Sequence, residues 1–205
     1  MTSPHPDPDA RLWQLVARRA EPGADKAAVD AEIWAIFGAE AAVMFTDLSG
    51  FSRQVAEFGI LHFLQIIHAQ KALLLPLVEA HGGVCLKAEA DSFLIRFAQP
   101  ASALRCAFAM QAACDAHNHG LRPEDQVLLC VGLGWGRVLQ IGDTDLWGQE
   151  VNAASKLGED TAKAHEILVT DAFKRATEGQ GDWHYERIES VSGSDVNWRV
   201  DGLSN

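Results

Sequence analysis

Two aspartates stand where apolar runs meet turns. Asp47 closes "AAVMFT" and is followed by "LSGFS", and Asp91 lies between "LKAEA" and "SFLIRF". A carboxylate at such a place either caps the backbone or holds a cation. In the element order read below, the first strand and the following hairpin are sheet neighbours, so the two carboxylates can face each other across adjacent strands. Such a pair suits Mg²⁺, a hard ion that takes one or two protein carboxylates and fills its other positions with water and phosphate oxygens. Two ions held this way could activate an attacking oxygen and neutralise a leaving group in an in-line displacement. The other reading makes Asp47 an N-cap and Asp91 a turn residue, and spacing alone leaves both open.

The elements that must position these residues follow from periodicity and breakers. Residues 1 to 8 are proline-rich and polar. Two helical patterns, "DARLWQLVARRA" and "DKAAVDAEIWAIFG", come next with "EPGA" as the break. From Ala41 the sequence predicts an apolar strand, then one long amphipathic helix over Arg53 to Ala80 with Phe58, Leu61, Leu64, Ile67 and Leu74 on its apolar face. "GGVCLKAEADSFLIRF" reads as a hairpin whose turn holds Lys87, Glu89 and Asp91. A helix from Pro100 to His119 and one long or two short strands over "QVLLCVGLGWGRVLQIG" complete the order β-α-β-β-α-β. That is a ferredoxin-like, palm-type α+β core, an antiparallel sheet with helices on one face. A turn-and-helix segment, "DTDLWGQEVNAASKLGEDTAKA", and strands at "EILVT", "WHYERIE" and "VNWRV" extend it. Two segments are expected: an N-terminal tail and helical segment over 1–40 and a catalytic domain over 41–205.

A chain of 205 residues, 48% hydrophobic and 22% charged, is enough for one good core. Its net charge of −11 argues against a surface that tracks nucleic acid or anionic lipid. Cys85, Cys106, Cys114 and Cys130 lie in apolar contexts without CxxC pairing, so buried thiols in a reducing compartment, the cytoplasm, are expected. The N-terminus lacks the pattern of a secretory leader, and the longest apolar stretch, "ALLLPLV", is short, so no membrane span is expected.

"FTDLSGFS", "LKAEAD" and "DLWGQEVNAASK" resemble, in order and spacing, the catalytic domain of class III nucleotidyl cyclases over Ala41 to Val200. The resemblance implies two Mg²⁺ or Mn²⁺ ions per active site, held by Asp47, Asp91 and the backbone carbonyl of Leu48. It makes Ser49, Gly50, Phe51 and Ser52 the segment whose amides cradle a triphosphate, as the opening of a helix allows. It assigns Lys87 and Asp145 to reading the base. A lysine donates to adenine N1 and an aspartate accepts from the 6-amino group, whereas guanine offers the reverse, so this pair favours ATP over GTP. Asn152 matches the residue that orients the ribose, and Lys156 occupies the place of an arginine that stabilises the transition state. The two are i and i+4 and share a helix face. The family works as a head-to-tail dimer in which metal residues of one chain face base and transition-state residues of the other, so a homodimer with interfacial sites is implied.

Three positions depart from the family pattern. Lys156 offers a mobile point charge in place of a planar fork. Ala90 stands where glycine usually precedes the second aspartate, and Ser192-Gly193 stands where a lysine usually precedes glycine. Arg53 and Arg96 are candidate substitutes for the missing cations. These departures leave two alternatives to an adenylate cyclase, a cyclase of the same family acting on UTP or CTP and a degenerate domain that binds nucleotide without turnover. "GLGWG" opens no helix, so its glycines read as structural rather than as a dinucleotide loop. His117 and His119 read as helix-end residues, His62 and His68 as surface or interface residues, and the tryptophans as mostly core, with Trp147 near the base.

Overall fold

β1 (Gly38–Leu48) is the strand around which the fold is organised, and its alternating side chains feed two different cores. It pairs antiparallel with β3 (Ser92–Phe97) on one side and β4 (Leu129–Ile141) on the other. β2 (Gly83–Glu89) completes the edge beside β3. The computed structural model describes residues 7–202 apart from Ser192. The proline-rich tip at 1–6, Ser192 and the side chain of Ser52 lie outside the described residues.

β4 is one strand of 13 residues, which resolves the alternative left by its sequence. Beyond it β6 (Ile167–Thr170) pairs parallel, and β8 (Asn197–Gly202) and β7 (Trp183–Ile188) continue antiparallel, while the short β5 (Asp145–Trp147) pairs with β4. The order β2-β3-β1-β4-β6-β8-β7 contains the predicted βαββαβ core with its C-terminal extension.

The long helix expected after β1 is two helices, α3 (Phe51–Phe58) and α4 (Ile60–Ala80), in the chain order set by α1 (Pro8–Ala20) and α2 (Lys26–Phe37). Gly59 between them has φ +86°, a left-handed conformation that breaks the helix and shifts the phase of its apolar face. The buried stripe is therefore Phe63, Ile66, Ile67, Gln70, Leu74 and Val78, whereas Phe58, Leu61 and Leu64 are exposed. α4 is 21 residues and apolar enough by length and composition to cross a bilayer. In this fold it packs that stripe against the sheet beside α5 (Pro100–Asn118), forming the larger core with Phe93, Ile95, Phe97, Leu104 and Met110.

The opposite face of the sheet is covered as well, against the expectation of helices on one face only. α6 (Gln149–Ser155) lies on it, burying Val151 and Ala154 against Ala41, Val43, Leu94 and Val138. The glycines of "GLGWG" make this possible. A Cβ on Gly132 would stand 2.2 Å from the Ala154 carbonyl oxygen, and one on Gly134 2.6 Å from that of Glu150. The helix backbone thus rests directly on the strand, the structural role expected of those residues. α6 runs on into a π-helical turn, Lys156–Thr161, and α7 (Asp171–Thr177), absent from the sequence reading, follows β6.

α1 and α2 pack Leu12, Leu15, Val29, Ile33 and Phe37 against Ile141 at the far end of β4. None of the six tryptophans is fully buried, but Trp135, Trp183 and Trp198 pack against the larger core, while Trp13 and Trp147 are exposed. Their bulk suits partial burial with the ring edge at solvent. Phenylalanine, leucine and isoleucine fill the cores instead.

Candidate active site

The ladder from β2 through β4 sets the position of both aspartates. Asp47 lies opposite Cys130 near the end of β1, and Asp91 sits in the β2–β3 turn one residue before Ser92. Thr46 is in register with Phe93, so the turn comes back alongside the end of β1. The two carboxyls lie close enough to influence each other's ionisation, and the Leu48 backbone favours the charged form of both. The Ser92 hydroxyl donates to Asp47 Oδ1 at 3.2 Å.

Burial pushes the Asp47 carboxyl up to about 6, and the negative charge of Asp91 adds to it against the Leu48 and Ser92 donors. Burial raises Asp91 too, tempered by its own amide, Asp47 and Leu48. Glu159, on the π-helical turn, adds negative charge to both. Two close, desolvated carboxylates that resist ionising together form a donor set that a divalent cation satisfies. Among the described residues, no three His, Cys, Asp or Glu side chains converge as a complete metal cage.

A cleft of 330 Å³ opens beside Asp47, lined by Leu48, Ser49, Gly50, Phe51, Arg53 and Glu159 among others. Gly50, at φ +92°, turns the chain into α3, and no side chain caps that helix. The Ser49 amide already donates to the Leu128 carbonyl at 2.9 Å, so of the four residues 49–52 its N–H is engaged within the fold. Arg53 reaches this cleft, but Arg96 does not. It stands opposite Val43, four residues before Asp47, on a strand direction that separates them by about 13 Å.

A second cavity of 210 Å³ holds Lys87 and Asp145, joined as an ion pair at 2.7 Å, with Phe45, Leu94, Leu146 and Val151 as its apolar walls. The bulge between Cys85 and Lys87 re-aims β2 at this point. Glu159 is the lining residue common to both cavities.

Asn152 and Lys156 line neither cavity. Both are exposed, and Lys156 pairs with Asp160 one turn on, which holds its ammonium above the ordinary lysine value. One chain thus unites Asp47 with Asp91 and Lys87 with Asp145, and leaves Asn152 and Lys156 facing outward. Trp147 is 50% exposed and meets Trp13 of α1 edge-on at 6.5 Å.

Sequence reasoning missed Ser92, Glu159 and Gln70. Gln70 is fully buried and donates from its side-chain amide to the Asp91 carbonyl at 2.7 Å. Its signal was a lone amide within an apolar helical stripe. Among the described residues no histidine joins a metal-holding cluster, and His62 bonds the Glu124 carbonyl at 2.8 Å.

Fold and site define a palm-type α+β domain with a carboxylate pair at the end of its central strand. The chain belongs to the adenylate and guanylate cyclase catalytic domain family, whose model matches residues 38–196. It is 30% identical over 142 residues to "Putative adenylate cyclase 3" of Rhizobium meliloti (strain 1021), covering 69% of this chain. The chain spans 24% of that relative's length. Among solved structures, the adenylyl cyclase CyaB from P. aeruginosa matches with a TM-score of 0.69 at 18% identity, over 82% of this chain and 96% of that one. The guanylate cyclase domain of RhGC from Catenaria anguillulae, solved with GTP, matches with a TM-score of 0.67 at 16% identity, over 80% and 97%. Adenylyl and guanylyl enzymes thus resemble this fold equally, and the base must be argued from side chains.

Proposed function

We propose that this domain is an adenylate cyclase that converts ATP to 3′,5′-cyclic AMP and pyrophosphate in a homodimer. The observation that carries the reading is the Lys87–Asp145 pair, a donor beside an acceptor in an apolar-walled cavity. Lys87 donates to adenine N1 and Asp145 accepts from the 6-amino group. Asp47 and Asp91 would hold Mg²⁺ or Mn²⁺, with the Leu48 carbonyl beside them. Bound divalent ions lower the pKa of the 3′-hydroxyl and neutralise charge on the phosphates. The amides after Gly50 and the Arg53 guanidinium orient the polyphosphate. Asn152 holds the ribose, and Lys156 offsets charge at the α-phosphate as the 3′-oxygen to phosphorus bond forms and the bond to pyrophosphate breaks.

A homodimer accounts for the outward placement of Asn152 and Lys156, which a second copy would bring to the first copy's aspartates. The exposed apolar residues Phe58, Ile60, Leu61 and Leu64 give further surface for a partner copy to cover.

The test is turnover of all four nucleoside triphosphates with Mg²⁺ or Mn²⁺, run across protein concentration. Expected are cyclic AMP from ATP, a specific activity that rises with protein concentration, and none in Asp47→Ala. Cyclic UMP or CMP in place of cyclic AMP would assign a pyrimidine substrate. Bound but unaltered ATP after long incubation would make the domain a binding module.

A further inference from the structure

The β2–β3 turn that delivers Asp91 carries a conformational cost. Ala90 adopts φ +49°, in the left-handed region where a Cβ crowds the following carbonyl. The turn therefore needs an external hold, and one is present beneath it. Gln70 projects from the buried stripe of α4, among Phe63, Ile66, Ile67 and Leu74, and its Nε2 donates to the Asp91 carbonyl at 2.7 Å. The residue is 0% exposed, so this bond is shielded from water. Its Oε1 has no hydrogen-bond partner, so the amide accepts one unmet acceptor in order to make the contact. A polar side chain so placed is costly in an apolar core, and what it touches is the backbone of a proposed metal ligand.

We propose that Gln70 is a positioning residue that clamps the Ala90–Asp91 turn and thereby presents Asp91 to the cation. The part of this that concerns metal rests on the reading of Asp47 and Asp91 as cation ligands. The clamp itself rests on the hydrogen bond and the turn geometry alone. Gln70 acts through the Asp91 carbonyl, which leaves the carboxylate oxygens available for the ion. Groups of this kind behind a metal ligand typically change metal affinity by about 10–100-fold when removed.

Two measurements on full-length Gln70→Leu test this, since leucine suits the apolar surroundings. Amide hydrogen exchange across residues 89–93 reports the clamp without any metal, and is expected to quicken about tenfold, the loss of one ordinary hydrogen bond. Mn²⁺ affinity, read by electron paramagnetic resonance without substrate, is expected to fall about 10-fold. Ala90→Gly removes the cost of the turn, so adding it to Gln70→Leu should restore most of the Mn²⁺ affinity. A merely structural loss in the core would quicken exchange well beyond residues 89–93 too. Unchanged exchange across 89–93 overturns the clamp. Faster exchange with unchanged Mn²⁺ affinity overturns its role in presenting Asp91. Parent protein that binds no Mn²⁺ sensitive to Asp47→Ala overturns the metal reading, while the exchange result still decides the clamp. If Gln70→Leu fails to fold, Gln70→Met makes the same comparison with a more adaptable side chain.

Discussion

Lys87 Nζ lies 2.7 Å from Asp145 Oδ2, although their strands, β2 and β5, share no ladder and belong to opposite parts of the sheet. The fold brings a donor and an acceptor together against apolar walls, and that arrangement has a direction. Exchanging the partners as Lys87→Glu with Asp145→Lys keeps the ion pair and reverses the pattern offered to the base. Turnover of ATP relative to GTP is expected to fall by at least about tenfold, because a site whose polar groups are left unpaired discriminates strongly. Competition between the two triphosphates in one assay measures it.

Asp47 makes stability depend on pH in an unusual sense. Its folded carboxyl titrates at about 6, against 3.8 as the ordinary value. Between those values the folded state binds more protons than the unfolded state, so this group's contribution to stability falls as pH rises through about 4 to 6 and stays low above. Asp47→Asn mimics the neutral form. It should stabilise the metal-free protein by about 1–3 kcal/mol at pH 7, allowing for solvent screening, and by little near pH 4. Urea denaturation at the two pH values reads the difference. Adding Mn²⁺ at pH 7 should stabilise the parent and leave Asp47→Asn nearly unmoved.

Lys156 is held by Asp160 in the isolated chain. If it acts at the α-phosphate, Lys156→Ala should lower kcat by about 10²–10³-fold, the usual loss for a transition-state donor, with a much smaller change in KM. Lys156→Arg should match or exceed the parent, since its planar fork suits phosphate. Steady-state kinetics above the dimer dissociation constant decide both.

Ala90 at φ +49° predicts that Ala90→Gly stabilises the fold. The expected gain is about 0.5–1 kcal/mol, the relief of the left-handed cost less the greater freedom of glycine when unfolded. In a domain of this size that amounts to a Tm higher by about 1–4 °C in calorimetry.

Gly132→Ala should be among the most damaging single changes. Its Cβ would meet the Ala154 carbonyl at 2.2 Å and the Gly158 amide nitrogen at 2.3 Å, both backbone atoms. α6 and the π-helical turn would have to lift from β4, at an expected cost of at least about 3 kcal/mol in urea denaturation.

Local sequence determined a good deal of this protein. Period-two alternation placed the strands, and breakers placed the helix starts. Residue type and turn position left Asp47 and Asp91 open between capping and holding a cation, and only the resemblance to the cyclase family assigned Lys87 and Asp145 to the base. The two helices after β1 were misread as one because Gly59 is tolerated inside a helical pattern; only packing decided that it adopts φ +86° and moves the buried face to Phe63, Ile66 and Gln70. The coverage of the second sheet face by α6 depended on glycines whose need is visible only once a helix backbone lies against them. Tertiary structure alone decided that burial desolvates Asp47 and Asp91, that Ser92 and Gln70 stand behind them, and that Glu159 borders both cavities. These are relations across long stretches of chain, and their strength depends on burial and distance, which no single residue carries.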